Sequence, residues 1–575
     1  MVMEPAIGPA RAAAGRRWSR APWLPVVACL LGLVIAFHPM LASGFARTPG
    51  DVGDARLVHY VLEHHSRWLR GDPRHGFWTP PMFFPATNTA AYSDNLVTVA
   101  PAYWIWRAAG IGPDTAFQLW VLTCAALNFA AAYGLLRRAV GVGTGAASAG
   151  AFLFAFGGSR IGQVGNSHPQ LLPQFFTLGA LAALVALFRA RPAAAGAGAN
   201  WARRVAIPAF FACLVAQFYA GFYYGWFLTL ALGVAGVWVV ALPGCRGRLL
   251  ATLRAQAATV AGSALLAGAT LWPLIGHSLA AAEEVGLRQF AEVEPWLPRL
   301  QTWVFSGRDS WLYGGWADGW PFRALPPAIE HWVGVGPVTT VAALVGLGLG
   351  IGPWRGRAEA GPRNPDDSDA NPIRLVTLTT ATLIVVATLW PGGTIWQLVF
   401  ALVPGAQAIR AVARIGLLLL IPAALGVALL VEGSGAWARG RRRPRLVWSL
   451  VALVLAIGAL EQGQAARFWD HRPVAADVAR LAEQIDPGCA AFFYSPVATV
   501  PPWPWYKYQL DAMWAGLAAG VPTVNGYSGN VPPGWALVDP IIRGPEDEDR
   551  LRAALTSWEA SAGIAGEVCW LQVAD

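Results

Sequence analysis

The stretch GDVGDARLVHY (50–60) sets two carboxylates, Asp51 and Asp54, three residues apart just after the first long apolar run of the chain. A positioned carboxylate can take a proton from a reacting hydroxyl. An Asp behind a glycine, with a second acid three residues on, also starts helices, so a capping role fits the same residues. In PGAQAIRAVAR (404–414), Arg410 and Arg414 stand at i, i+4 spacing where a later apolar run begins. Held arginines bind anions through fixed hydrogen-bond forks, but they also snorkel or pair with a nearby carboxylate. SRIGQVGNSHPQ (159–170) gathers Arg160, Gln163, His168 and Gln170 between two apolar runs, where a lone His also serves as an interfacial hydrogen-bonder. His59, His64 and His65 do not read as a metal site, because the adjacent pair faces apart and no carboxylate sits at ligand spacing to both.

The elements that must carry these residues follow from composition. The 575 residues are 55% hydrophobic and only 13% charged, with 29 tryptophans and a mean hydropathy of +0.44. A soluble globule carries nearly twice that charge, so a polytopic membrane protein is expected. The net charge of +9 does not indicate nucleic acid: the basic residues are nearly all Arg, in short clusters between apolar runs. Apolar runs at 23–45, 115–136, 139–158, 171–187, 205–220, 222–242, 257–279, 332–351, 375–390, 415–431 and 446–460 predict about eleven transmembrane helices. With the Arg-rich tail 1–22 inside, every later inside loop carries arginines, from Arg137 and Arg138 to the cluster Arg439–Arg445. A span at 95–109 would invert this order, so that run reads as an interfacial or re-entrant helix. Arg410 and Arg414 then lie on the outer side, where arginine is disfavoured, which marks them as functional candidates.

This topology gathers the polar residues on one side. The first loop (46–114), the loops 159–170 and 280–331, the segment 391–414 and the region from about Glu461 all face outward. In the first loop, Leu57, Val58, Val61, Leu62, His65, Trp68 and Leu69 recur at helical spacing, with Glu63, Arg67 and Arg70 off the stripe. An amphipathic helix on the bilayer surface is expected, with Asp54 one turn ahead of the stripe. Loop 280–331 holds Trp296, Trp303, Trp311, Trp316 and Trp320 among acidic residues, either a wall for sugar rings or an interfacial aromatic belt. From about 463 to 575 strands alternate with helices, predicting a small α/β domain outside the transmembrane domain 23–462. Cys489 and Cys569 lie near two of its strand ends and are expected to form a disulfide. NGYSGN (525–530) is a polar turn that either caps a site or only turns the chain.

A carboxylate shortly after the first span, opening a helix in a long outer loop, resembles the membrane-embedded glycosyltransferases of the GT-C class. In their bacterial lipid-linked-sugar branch, the pattern D54-A-R-L…W68-L-R-G71, the later FWTPPMFFP (77–85) and RRAVG (137–141) have counterparts in the same order. The resemblance covers about the first 190 residues, and beyond them only the span pattern and an outer C-terminal domain agree.

It implies a mainly α, GT-C-like bundle in a bacterial inner membrane. The implied reaction moves a sugar from a polyprenyl-phosphate donor to an outer acceptor, whether glycan, lipid or protein, with inversion. Asp54 is the implied general base and Asp51 the second choice. Arg410 and Arg414, joined by Arg56, Arg160, His168 and Gln170, are the implied contacts to phosphate or sugar. The family often places an Asp in the loop 159–170; this chain has none there, so a divalent metal stays an open possibility and no metal ligand is assigned. Two other classes fit the same residues, a non-catalytic binding or scaffold relative and a transporter. The second is disfavoured because no internal repeat is found and the spans are nearly free of charge.

Overall fold

A computed structural model describes residues 22–72, 76–189, 197–326, 329–351, 371–439 and 444–574. The N-terminal arginines, Arg191, Arg355, Arg357, Arg441–Arg443 and most of the linker 361–372 lie outside them.

Each of the eleven apolar runs falls on a helix, from Leu24–Ala42 through Pro113–Gly134, Thr144–Phe156 and Phe175–Arg189 to Ile415–Arg439 and Pro444–Glu461. Among the described residues, six helical stretches are long and apolar enough to cross a bilayer, and Arg204–Ala220, Pro337–Ile351 and Pro372–Ala387 are shorter apolar helices. Proline begins many of these helices, at Pro101, Pro113, Pro243, Pro337, Pro372 and Pro444. Its fixed φ suits the first turn, and its missing N–H is one the helix would leave unpaired anyway. Large apolar side chains such as Val237, Leu265, Leu266 and Trp272 stand exposed on the helix faces. Water does not tolerate such continuous apolar surface, so this is a helical protein of membrane type.

The bundle is built around Ile415–Arg439, whose neighbours approach it through glycines. A Cβ on Gly346 would sit 1.8 Å from the Gly426 carbonyl, and one on Gly150 would sit 2.6 Å from the Ala424 carbonyl. Small residues let backbones meet where lipid offers no hydrophobic drive for association. Glu461, fully buried at the end of Pro444–Glu461, accepts the N–H groups of Val338 at 2.9 Å and Thr339 at 2.7 Å. It thereby caps Pro337–Ile351 with a negative charge at the helix's positive end.

The first loop departs from the sequence expectation. Asp54–Leu69 is a helix, but every residue from Ala55 to Ser66 is buried, so it does not lie on a bilayer surface with one open face. Glu63, expected away from the apolar stripe, is enclosed and accepts hydrogen bonds from Tyr103 Oη at 2.7 Å, Arg107 Nε at 2.9 Å and Arg67 Nε at 3.1 Å. Pro101–Ala108 has eight residues and reaches only about 12 Å, too short to cross. The segment 159–170, expected as a loop, is a buried helix Gly158–Asn166 followed by a single 3-10 turn, Pro169–Leu171.

What encloses the first loop is the C-terminal region. Arg47–Pro49 pairs antiparallel with Phe468–Asp470, and Phe83 and Phe84 donate their N–H groups to the carbonyls of Asn525 and Thr523, both at 2.9 Å. Arg56 forms a 2.8 Å ion pair with Asp511, which Lys507 also contacts at 2.8 Å, all three buried. Beyond residue 470, helices His471–Glu483, Trp505–Ala519 and Pro545–Ala562 surround the parallel pair Ala491–Val497 and Val568–Ala574. The stretch 521–535 contributes only a single bridge, from Thr523 to Phe492. One hydrophobic core runs from Phe37 and Tyr60 through Phe83 to Leu510, Trp535 and Trp558, so first loop and C-terminal unit fold as one body.

Cys489 is bonded to Cys569 across a separation of 80 residues. Replacing both with Ala is expected to lower the stability of the C-terminal unit by about 4 kcal/mol on the loop-entropy account. Non-reducing peptide mapping should recover the two in one cross-linked peptide, and recovery of both as free thiols would remove the prediction.

Candidate active site

Gly53 ends the extended entry to helix Asp54–Leu69, and the Asp51 carboxylate caps that helix: its Oδ1 accepts the N–H groups of Gly53 and Ala55, each at 3.2 Å. Partial burial, with Asp54 adding like charge, pushes the Asp51 carboxyl up to about 6 against those two hydrogen bonds. Being raised above the unfolded value near 3.9, it adds stability below pH ~4 that fades as pH rises through 6. Asp51→Asn keeps the cap acceptor and removes the charge. Its thermal midpoint is therefore expected to match wild type near pH 4 and to exceed it progressively from pH 4 to 7; a gap independent of pH would contradict this.

Asp54, the first helical residue, is about a third exposed and faces away from the helix body. Its Oδ1 accepts a 2.5 Å hydrogen bond from Tyr527 Oη, and its Oδ2 lies 3.5 Å from His168 Nε2. Burial raises the Asp54 carboxyl, while the Tyr527 hydroxyl and the charges of Arg414 and Arg410 pull the other way. His168 is held well below its ordinary value, first by burial and then by Arg414 and Arg410, so it stays neutral. Arg414 Nη2 pairs with Glu330 Oε1 at 3.2 Å and lies 4.9 Å over the Tyr223 ring. Arg410 stacks on Trp296 at 5.1 Å and forms no ion pair among the described residues.

These groups share one cavity of about 450 Å³. Asp54, His168, Gln170, Arg410 and Arg414 all line it, together with Asp94, Asn530 and an apolar wall from Leu274, Ala281 and Val285 of the long helix Pro243–Val285. Among the described residues, the lining atoms His168 Nδ1, Gln170 Oε1 and Arg414 Nε are buried without a hydrogen-bond partner. Buried polar groups are nearly always satisfied, so such a cluster in a cavity wall is poised for a polar ligand.

Two residues expected at the site are elsewhere. Arg160 is fully buried and spends its guanidinium on the carbonyls of Phe154 at 3.0 Å, Leu172 at 3.0 Å and Leu171 at 3.3 Å and on Gln174 Oε1 at 2.5 Å. It fixes the turn that carries His168 and Gln170. Arg56 is engaged by Asp511 and the Lys507 carbonyl, which joins the first loop to the C-terminal unit, and it does not line this cavity. Arg410 and Arg414 reach the cavity by a route the spacing did not indicate: Arg410 is in irregular chain and Arg414 closes a 3-10 turn ahead of Ile415. Sequence reading missed Asp94 and Glu330, and reached Tyr527 only through the turn that holds it. Tyr527 sits in the NGYSGN turn, whose polar, Gly-rich composition was the available signal; nothing local marks Asp94 or Glu330. Asp94 accepts the Phe222 N–H at 2.9 Å, and burial raises its carboxyl. Among the described residues, no group of three or more His, Cys, Asp or Glu side chains is arranged to hold a metal, so no step below is routed through one. No family model matches the chain, and no curated protein is significantly similar to it.

Proposed function

We propose that this chain is a GT-C-type membrane glycosyltransferase that moves a sugar from a polyprenyl-phosphate donor to an acceptor hydroxyl at the outer face of a bacterial inner membrane, crossing it about eleven times with the N-terminus cytoplasmic. The observation that carries this reading is the convergence of Asp54 with Arg410 and Arg414, more than 350 positions apart in sequence, on one cavity with an apolar wall.

The chemistry balances on these groups. The acceptor oxygen forms a bond to the anomeric carbon as that carbon's bond to the phosphate oxygen breaks, and the configuration inverts. The electron pair leaves with polyprenyl phosphate, whose charge Arg410 and Arg414 stabilise. The acceptor proton passes to the Asp54 carboxylate, whose raised affinity for protons makes it a stronger base than a solvated Asp. Neutral His168 beside Asp54 Oδ2 adds no positive charge that would weaken this base. The apolar wall from Pro243–Val285 suits the lipid portion of the donor.

Deleting the gene and profiling lipid-linked sugars and surface glycans tests the reading. A polyprenyl-phosphate sugar is expected to accumulate while one glycan or glycosylated lipid or protein loses that sugar. Unchanged profiles of both would refute it.

A further inference from the structure

We propose that the acceptor is a saccharide and that Trp505, Tyr506 and Asp51 form its binding shelf, an inference that rests on the glycosyltransferase reading for the role of Asp54. Asp54 lies between two unlike surroundings. One is the arginine-bearing, partly apolar cavity described above. The other is a cluster of three partly exposed rings, Trp505, Tyr506 and Tyr527, with centroids 5.6–5.9 Å apart, none of which lines the cavity.

The rings are tied to both acids. Tyr527 Oη donates to Asp54 Oδ1, and the Tyr506 ring packs against Gly53, between the two carboxylates. Asp51 spends Oδ1 on capping, while no donor among the described residues beyond its own backbone N–H reaches its Oδ2. An ionised carboxylate oxygen can only accept hydrogen bonds, as it would from hydroxyls, and a partly exposed aromatic face offers apolar contact beside it. That pairing fits a molecule with a C–H face and a rim of hydroxyls, which is a sugar ring. An acyl chain would leave the carboxylate without a partner, and a cationic peptide would be drawn to the acids without needing the rings.

The shelf is held in register with Asp54. Trp505 and Tyr506 open the helix Trp505–Ala519, and two turns in, Asp511 is locked to Arg56 of the Asp54 helix at 2.8 Å. Arg56 is thus a positioning residue for the acceptor side.

The test uses full-length protein in lipid nanodiscs and saturation-transfer NMR. The probe is the oligosaccharide mixture released by mild acid from the surface glycans of the source cells. Wild type and Asp54→Asn are expected to give ring-proton signals, Trp505→Ala with Tyr506→Leu to lose at least tenfold of that signal, and Trp505→Phe to retain most of it. Equal signals from the Ala/Leu variant, with an unchanged thermal midpoint, would overturn the shelf. Signals only from the cells' lipids or from peptides would overturn it too. If the double variant fails to fold, Asp51→Asn, which keeps the capping acceptor and the rings and replaces only the free carboxylate oxygen, must weaken the signal or the shelf falls. If Asp54→Asn leaves surface glycans intact while saccharide binding persists, the transferase reading fails and the shelf stands as a lectin-like site.

Discussion

Asp54→Asn is expected to lower sugar transfer by 10²–10⁴-fold while leaving a folded protein that still binds its lipid-linked donor. Asn has the shape of Asp and can still accept the Tyr527 hydroxyl, so the hydrogen bond at 2.5 Å has a successor. What it lacks is the capacity to take the acceptor proton. In the proposed mechanism donor contacts run through Arg410 and Arg414, which the substitution does not touch, so the loss should fall on turnover and spare donor affinity. The same carboxyl sets a pH dependence. Because burial raises it, wild-type activity should decline on acidification at a pH above the ordinary aspartate value near 3.9, since activity requires the ionised form. Transfer assayed with purified protein across pH 4–8 measures both effects, and full activity in the Asn variant would end the case for Asp54 as base.

Gly346→Leu should remove most of the folded protein. The added Cβ would lie 1.8 Å from the Gly426 carbonyl oxygen, and that obstacle is backbone, which cannot swing aside as a side chain would. A cost at or above the ~3 kcal/mol upper range of overpacking is expected, a large share of the stability of most proteins. Gly348→Leu on the same helix is the control, because nothing lies within 4 Å of a Cβ there. The yield of monodisperse protein in detergent distinguishes them, and equal yields would show that the two helices are not fixed by this contact.

Much of the helical content was legible because apolar runs bounded by arginine, glycine and proline leave the chain few alternatives to helix. The site was legible where a residue broke a local rule: Asp54 after an apolar run, Arg410 and Arg414 beside one. It was illegible where function depends on what folds over what. Helical periodicity in 54–69 gave one apolar stripe, but the buried Glu63 and Arg56 find partners on Pro101–Ala108 and Trp505–Ala519, which periodicity cannot foresee. Arg160 misled for the reverse reason. A charge between apolar runs suggests a ligand, yet nearby carbonyls satisfy it completely.

The hydrogen bond from Arg56 to the Lys507 carbonyl joins residues 451 positions apart. A ribosome adding about 5–20 residues per second needs tens of seconds to supply the second partner after the first. Throughout that interval the Asp54 helix is complete in sequence but lacks the residues that enclose it, with Arg56 unpaired and Tyr527 not yet made. Asp54 therefore acquires its final environment only once the segment around Tyr527 has been synthesised. A chain stopped before Tyr527 would keep every predicted span and have no finished centre.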